Sequence, residues 1–319
     1  MSQRFFQRLQ RPAMILACCI CVGGSAFSQA PPQLSSLIKA NDIAAVKGLL
    51  TKSNSNSVDE EGDPLLMNAA LYASVEMMEL LLKKGADPNA KNRDGETALM
   101  WAMQDIEKVK LLLRHGANIN KASASGNTAL LIGCVGAHKF ETVKLLLDNG
   151  ADPQLRNKRK ETALMRAALF GDTATLSLLV KSGNEVDAMD STGLTPLINA
   201  IFNVNRPATI WLLNNGADAD KRGAFGLTAV TAVVTYNDLP SVQAVLQKAK
   251  DINTVDSLGI SALMWAAYNE HDNPAITREL LDKGADVHIK AKNGDTALSW
   301  AMRKGNTATV AILRKAGAQ

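Results

Sequence analysis

Apolar and polar positions along the chain fall into a short unit that keeps returning. In residues 92–118 the polar turn Arg93-Asp94-Gly95 precedes a run of small and apolar residues, Ala98-Leu99-Met100-Trp101-Ala102-Met103. That run predicts a short helix, with Gly95 free to take a positive φ and the Thr97 hydroxyl placed to accept from the first unpaired amides. After a break, Val109-Lys110-Leu111-Leu112-Leu113 carries one apolar stripe at helical spacing and stops at Gly116. This predicts a second, longer helix. The unit is turn, short helix, longer helix, turn.

The phrase G-x-T-A-L-x-x-A marks the unit, and its anchor falls at Pro64, Thr97, Thr128, Thr162, Thr195, Thr228, Ser261 and Thr296. Successive anchors lie 33, 31, 34, 33, 33, 33 and 35 residues apart. A fixed period in the range of about 20–50 residues signals stacked supersecondary units, none of which can bury its apolar face alone. Function therefore belongs to the array. Between Thr97 and Gly116 the link is short by two residues, whereas the Asp272-Asn273-Pro274 region is long by two. In a stacked array such changes map to surface loops.

At these residues the chain resembles the ankyrin-repeat family, whose unit reads D-x-x-G-x-T-P-L-H-x-A-A, then V-x-x-L-L-x-x-G-A-D-x-N. Matching stretches are Gly193-Leu194-Thr195-Pro196-Leu197, Val143-Lys144-Leu145-Leu146-Leu147 with Gly150-Ala151-Asp152, and Gly284-Ala285-Asp286. The resemblance covers roughly residues 33–319. It implies an all-α solenoid of helix-turn-helix units with β-turn or hairpin tips: about eight anchored repeats behind an N-terminal capping helix pair at 33–58. Two departures bear on packing. The family's His after T-P-L is replaced by Met67, Met100, Leu131, Met165, Ile198, Thr231, Met264 and Ser299, so its hydrogen bond is expected to be absent throughout, with apolar packing in its place. With the cap counted as the first unit, the fifth has Lys160 where glycine is expected, which puts that turn's geometry in question.

The ends read as caps. Leu34 to Lys52 predicts a helix pair without the Thr-anchored turn, and the last unit carries Arg303, Lys304, Arg314 and Lys315 as a water-facing end. Residues 1–28 stand outside the array. Arg4, Arg8 and Arg11 form a basic segment, Ala13 to Gly24 is apolar and small, and Ala26-Phe27-Ser28 has the form of a signal-peptidase site. The expectation is a secretory signal peptide cut after Ser28, a repeat domain over 29–319, and a periplasmic location. The apolar run is too short for a transmembrane anchor. A lipid anchor at Cys18, after Ile15-Leu16-Ala17, stays open as the lesser alternative, because its apolar core of about six residues falls below the ~7–15 usual for such segments.

Export changes how composition reads. The full chain is +4, but three of its 35 Lys and Arg and none of its 31 Asp and Glu lie in the first 28 residues, leaving 32 against 31, or +1. That balance lacks the basic footprint of a nucleic-acid binder or an anionic-membrane binder. Cys18, Cys19 and Cys21 leave with the signal, so only Cys134 remains, at an inner-helix position that suits a small buried residue. The array should be held by its core without disulfides.

Catalytic signatures are missing. His115, His138, His271 and His288 occupy different positions of different units and share no metal-ligand spacing. Asn269-Glu270-His271 lacks the second His of a zinc-protease helix, and there is no G-x-S-x-G elbow, Walker loop or G-x-G-x-x-G. Asp187 to Gly193 has scattered oxygen ligands but no twelfth-position Glu, unlike a calcium loop. The expectation is a non-enzymatic protein with no cofactor and no metal.

The resemblance implies that partners meet the turn tips and the concave inner helices, at positions seven and eight residues after each anchor. Five of those 16 positions are aromatic: Tyr72, Phe170, Phe202, Tyr236 and Tyr268, with Arg303 at the end of the row. Aromatic and Arg enrichment at an exposed surface marks interface hot spots, against the alternative that the rings cover the seam between units. Trp101, Trp265 and Trp300, four residues after their anchors, fit partial burial better. The tips of the sixth to eighth units add Leu194, Phe225, Leu227, Leu258 and Ile260, read as an exposed apolar patch, whereas the third and fifth offer Arg93, Asp94, Glu96, Lys158, Arg159 and Glu161.

These residues are the candidate partner-binding site of a monomeric protein-interaction module in the periplasm. The partner would be an exported enzyme that it assists, or a toxin or enzyme that it neutralises as an immunity protein. Less favoured are an effector sent onward into a host cell and a small-ligand or enzymatic groove built on Asp105, Arg166 and Arg303.

Overall fold

In the computed structural model the described residues are 28–135, 139–236, 238–269 and 273–319, and all statements of structure refer to these. The proposed signal segment up to residue 27, His138, Glu270, His271 and Asp272 lie outside them. Helices fall in pairs: the cap, Pro32–Lys39 and Ile43–Leu49, then eight anchored units. Inner helices are Leu65–Tyr72, Ala98–Trp101, Ala129–Gly133, Ala163–Phe170, Pro196–Phe202, Ala229–Val233, Ala262–Tyr268 and Ala297–Lys304. Outer helices are Val75–Lys83, Ile106–Arg114, Lys139–Asp148, Thr173–Lys181, Arg206–Asn214, Leu239–Lys248, Pro274–Asp282 and Thr307–Lys315. The tips form isolated antiparallel bridges, such as Lys91 with Thr97 and Val255 with Ser261.

One continuous core runs along the stack, built from the small residues of the inner helices and the leucines and valines of the outer ones. Leu99, Leu112, Leu131, Leu146, Leu164, Leu179, Leu197 and Leu212 are all buried in it. Cys134 is buried there too, and burial pushes its thiol pKa up to about 12. Helix starts follow the anchor. Hydroxyls of Thr128, Thr162, Thr195, Thr228, Ser261 and Thr296 each accept from the amide three residues on. Thr97, expected to do the same, makes no such bond: its helix is a single turn, and the Met100 amide goes to the Thr97 carbonyl.

The missing histidine is partly replaced by hydrogen bonding rather than only by packing, which corrects the expectation. Thr231 Oγ1 accepts from the Thr228 amide at 3.1 Å, Ser299 Oγ from the Thr296 amide at 3.0 Å, and Met165 Sδ from the Thr162 amide at 3.5 Å. Each closes a reciprocal box at its helix start.

Tips are braced by the side chain five residues before the anchor. Asn92, Asn157, Asp190 and Asp256 each accept, through one side-chain oxygen, from the amides two and four residues on. This brace settles the turn at Lys160. Lys160 takes φ 58 and its amide bonds Asn157 O at 2.8 Å, as Gly95 and Gly193 bond Asn92 O and Asp190 O. Lysine thus adopts the glycine conformation, at a cost of about 1–2 kcal/mol. At Gly126 no side chain would fit, since φ is 83 and a Cβ would lie 2.8 Å from the Lys158 amide nitrogen.

Neighbouring units are tied by two further ladders. Tip amides bond the preceding tip: Lys158 to Ser125 O, Ser191 to Arg159 O, Ser257 to Phe225 O and Lys292 to Leu258 O. On the outer edge, Asn89 donates to Gly116 O and accepts from the Asn118 amide, and Asn120 and Asn253 repeat this pairing one unit on. Because each asparagine uses its donor and its acceptor on the next unit, it fixes the stacking register.

Candidate functional site

The inner helices and tips present one face, and the structure divides its five rings. Tyr72, Phe170 and Tyr268 are exposed, whereas Phe202 and Tyr236 are half-buried against the core. Phe202 and Tyr236 pack on each other with centroids 6.0 Å apart, so these two cover a seam between units. Burial also pushes the Tyr236 phenol pKa up. Each of these three exposed rings has a lysine ammonium over it: Lys39 at 6.0 Å from Tyr72, Lys139 at 5.9 Å from Phe170 and Lys304 at 4.3 Å from Tyr268. In such pairs the ring face attracts the ammonium.

At the tips, Phe225 is 82 % exposed and Leu258 60 %, as the apolar-patch reading requires. Leu194 and Leu227 are only half-buried, and Ile260 is 6 % exposed, which corrects its reading as an exposed tip. The Asp256 brace explains the burial. It takes the Ile260 amide at 2.9 Å while the Asp256 amide bonds Ile260 O, folding the residue back into the core.

In the seventh unit the brace is missing because Gly223 stands where five other units carry Asp or Asn, namely Asp59, Asn92, Asn157, Asp190 and Asp256. Phe225 there adopts φ 58 beside Gly226 at 74, an aromatic residue in a conformation that suits asparagine or glycine.

A second regularity links the residue four after the anchor to the acid just before it. Trp101 Nε1 donates to Glu96 Oε2 at 2.9 Å, Arg166 Nε to Glu161 Oε2 at 2.9 Å and Trp300 Nε1 to Asp295 Oδ2 at 2.9 Å. Trp101, Trp265 and Trp300 are half-buried, as their position suggested. Arg303 is exposed but committed to Asp295, with Nη2 2.7 Å from Oδ1. Hydrogen bonds from Arg303 and Trp300 hold the Asp295 carboxyl well below the usual carboxylate range.

Arg166 and Arg303 are therefore braces rather than converging catalytic groups, and Asp105 caps its helix through the Glu107 and Lys108 amides. A cavity of about 190 Å³ lies between the cap helix and the first tip, lined by Ser35, Lys39, Asp59 and Glu61 among others. It is smaller than the ~300–1,000 Å³ of typical small-molecule sites. Beside it Asp59, Glu61 and Asp63 bring three carboxylates together. Asp59 is already occupied, accepting from the Glu61 and Asp63 amides, from Asn68 at 2.9 Å and from Lys39 Nζ at 3.1 Å. Burial opposes its ionisation, but these bonds outweigh it and lower its pKa. The Asp63 carboxyl is raised, chiefly by burial.

Three features escaped the sequence. Lys108 is buried, and Met302 and Val204 are exposed apolar side chains. Met302 had a legible signal. It lies six residues after its anchor, where Ala168, Val234 and Ala267 are buried, but among the described residues no further unit packs over its own.

No helix among the described residues is long and apolar enough to cross a membrane. A family profile described as ankyrin repeats, in three copies, matches residues 34–123, 73–157, 130–223 and 229–319. Ankyrin repeat and SAM domain-containing protein 6 of Rattus norvegicus is 47% identical over 72 residues, which is 22% of this chain and 8% of that protein. Ankyrin repeat protein YahD of Escherichia coli (strain K12) is 25% identical over 182 residues, covering 56% of this chain and 90% of that one. Palmitoyltransferase Hip14 of Drosophila melanogaster is 32% identical over 90 residues, 28% of this chain and 14% of that enzyme. The rat and fly relatives are thus matched over a small share of their length. Ankyrin repeats are in general protein-binding and typically non-enzymatic. With matched segments running from residue 34 to 319 over the same units that the structure stacks, the chain belongs to the ankyrin-repeat family.

Proposed function

We propose that this chain is a non-enzymatic module of the periplasm, exported through a signal peptide cut near Ser28, that holds a protein partner on its inner-helix face and tips. The observation that carries this reading is the set of exposed aromatic and apolar side chains on that one face, Tyr72, Phe170, Phe225, Leu258 and Tyr268. Large exposed rings and apolar side chains gathered on one face are the surface that hot spots are made from. Leu194, Leu227, Phe202 and Tyr236 support this surface from below, Ile260 belongs to the core, and Arg303 sets the far edge through Asp295.

Fractionation of a tagged full-length chain, with mass spectrometry of its mature N-terminus, tests the location. Affinity capture from the native envelope tests the binding. A Phe170→Ala, Tyr268→Ala double variant should lose the captured protein while keeping the melting temperature within a few degrees. Unchanged capture would refute the site.

A further inference from the structure

The tips of the fifth to ninth units form a row whose order is fixed by backbone contacts. The Ser191 amide bonds Arg159 O at 2.8 Å, the Ser257 amide bonds Phe225 O at 2.6 Å and the Lys292 amide bonds Leu258 O at 2.9 Å. Gly193 closes the row, since a Cβ there would lie 2.2 Å from the Ala224 nitrogen. Read along it, the side chains run basic, polar, apolar, apolar, basic: Lys158 and Lys160, then Ser191 and Thr192, then Phe225, Leu258 and Lys292, all exposed.

Charge on this row is unbalanced. Among the described residues Lys158, Lys160 and Lys292 meet no carboxylate within ion-pair distance. The acids nearby are spent: Asp190 and Asp256 hold their own turns, Glu161 holds Arg166, and Asp295 holds Trp300 and Arg303. These exposed ammonium groups are free to meet carboxylates of a partner. The apolar centre between them favours a partner, because Phe225 sits fully outward in a costly left-handed conformation that contributes nothing to the core.

We infer that this row docks an extended acidic segment of a partner protein, with apolar side chains in its middle and carboxylates at both ends. Stacked helices lie about 8–10 Å apart, so the row from the fifth to the ninth tip spans roughly 40 Å, or about 12 residues of extended chain. Phe225 and Leu258 are one unit apart, so in a polyproline II-like extended segment, which rises about 3.1 Å per residue and turns once about every three, apolar side chains about three residues apart face the row together. Carboxylates follow about three residues beyond the Leu258 contact and about six before the Phe225 contact. Electrostatic complementarity would set register and on-rate, and the apolar pair would supply affinity.

The inference rests on the protein-binding reading and names its partner's chemistry, and the two can fail separately. The probe is a fluorescein-labelled peptide of roughly 14 residues with glutamates at both ends and two leucines at that spacing. Anisotropy titration of the full chain should show saturable binding that weakens on raising salt to about 0.5 M. Phe225→Ser with Leu258→Ser, and Lys158→Glu with Lys292→Glu, should each weaken it about tenfold or more. A peptide with lysines for glutamates should not bind. Absence of binding, binding indifferent to the tip substitutions, or equal binding of the lysine peptide would overturn the inference. If envelope capture then still depends on Phe170 and Tyr268, the binding module stands and only this assignment of its partner falls.

Discussion

Lys108 reaches back across one unit to donate from Nζ to the Ala70 carbonyl at 2.9 Å, with its side chain buried. This contact explains how the array absorbs its short repeat. Elsewhere an asparagine at the start of the outer helix bonds the same carbonyl of the preceding unit: Asn205 Nδ2 to Ala168 O, and Asn306 Nδ2 to Ala267 O. With two residues missing after Thr97, Asp105 caps the outer helix instead and the lysine supplies the donor.

Lys108→Met should cost about 1–3 kcal/mol in urea unfolding, because it leaves a carbonyl at a buried seam without its donor. Burial lowers the Lys108 pKa, so the unfolded chain binds the proton more tightly. Stability should rise with pH as Lys108 titrates between its depressed folded value and its ordinary unfolded one near about 10.4. In Lys108→Met this rise should be missing, and a wild-type profile that falls over the same interval would contradict the assignment.

The seventh tip trades stability for an outward ring. Phe225→Asn keeps the left-handed conformation with a residue that tolerates it, and should raise stability by about 0.5–1 kcal/mol. The measurement is the melting temperature; a fall would mean that Phe225 packs in a way its exposure denies.

Cys134 should be inert in the folded chain. Its thiol, buried and pushed up to about 12, should resist a disulfide reagent at neutral pH and react at once in denaturant. Rapid labelling of the native protein would show that the fourth unit opens on the timescale of the assay.

Acid should loosen the first tip through Asp59. Its folded pKa is lowered, so its ionised form stabilises the fold above the unfolded value of about 3.9, and the contribution disappears as pH falls through the lower folded value. Asp59→Asn keeps the turn brace, as Asn92 and Asn157 show, but loses the charge pair with Lys39. The variant should therefore melt lower than wild type above about pH 5 and approach it as pH falls through the lowered folded value of Asp59. A constant difference across that interval would mean that the charge of Asp59 does not matter.

The fold was legible because each copy of the unit repeats the same turn, anchor and leucines, so errors in one copy are corrected by the others. Exposure was less so. Phe202 and Phe170 occupy neighbouring positions of the unit, yet one covers a seam and the other faces water. Ile260 and Leu258 sit two residues apart on one tip with opposite burial, because the Asp256 brace turns one inward. Lys108 could not be read at all, since a lysine beside a deletion looks like surface until the preceding helix is placed against it. Lys160 showed the reverse: the sequence broke the pattern, and the Asn157 brace kept the geometry.

The central claim is that a partner sits on the inner-helix face and tips, and site-specific photo-crosslinking in intact cells tests it most directly. A photoreactive phenylalanine at Phe170, Phe225 or Tyr268 should yield the same crosslinked protein, while one at Lys110 or Lys144 on the outer helices should yield none. Crosslinks to a common protein from the outer positions alone would contradict the account.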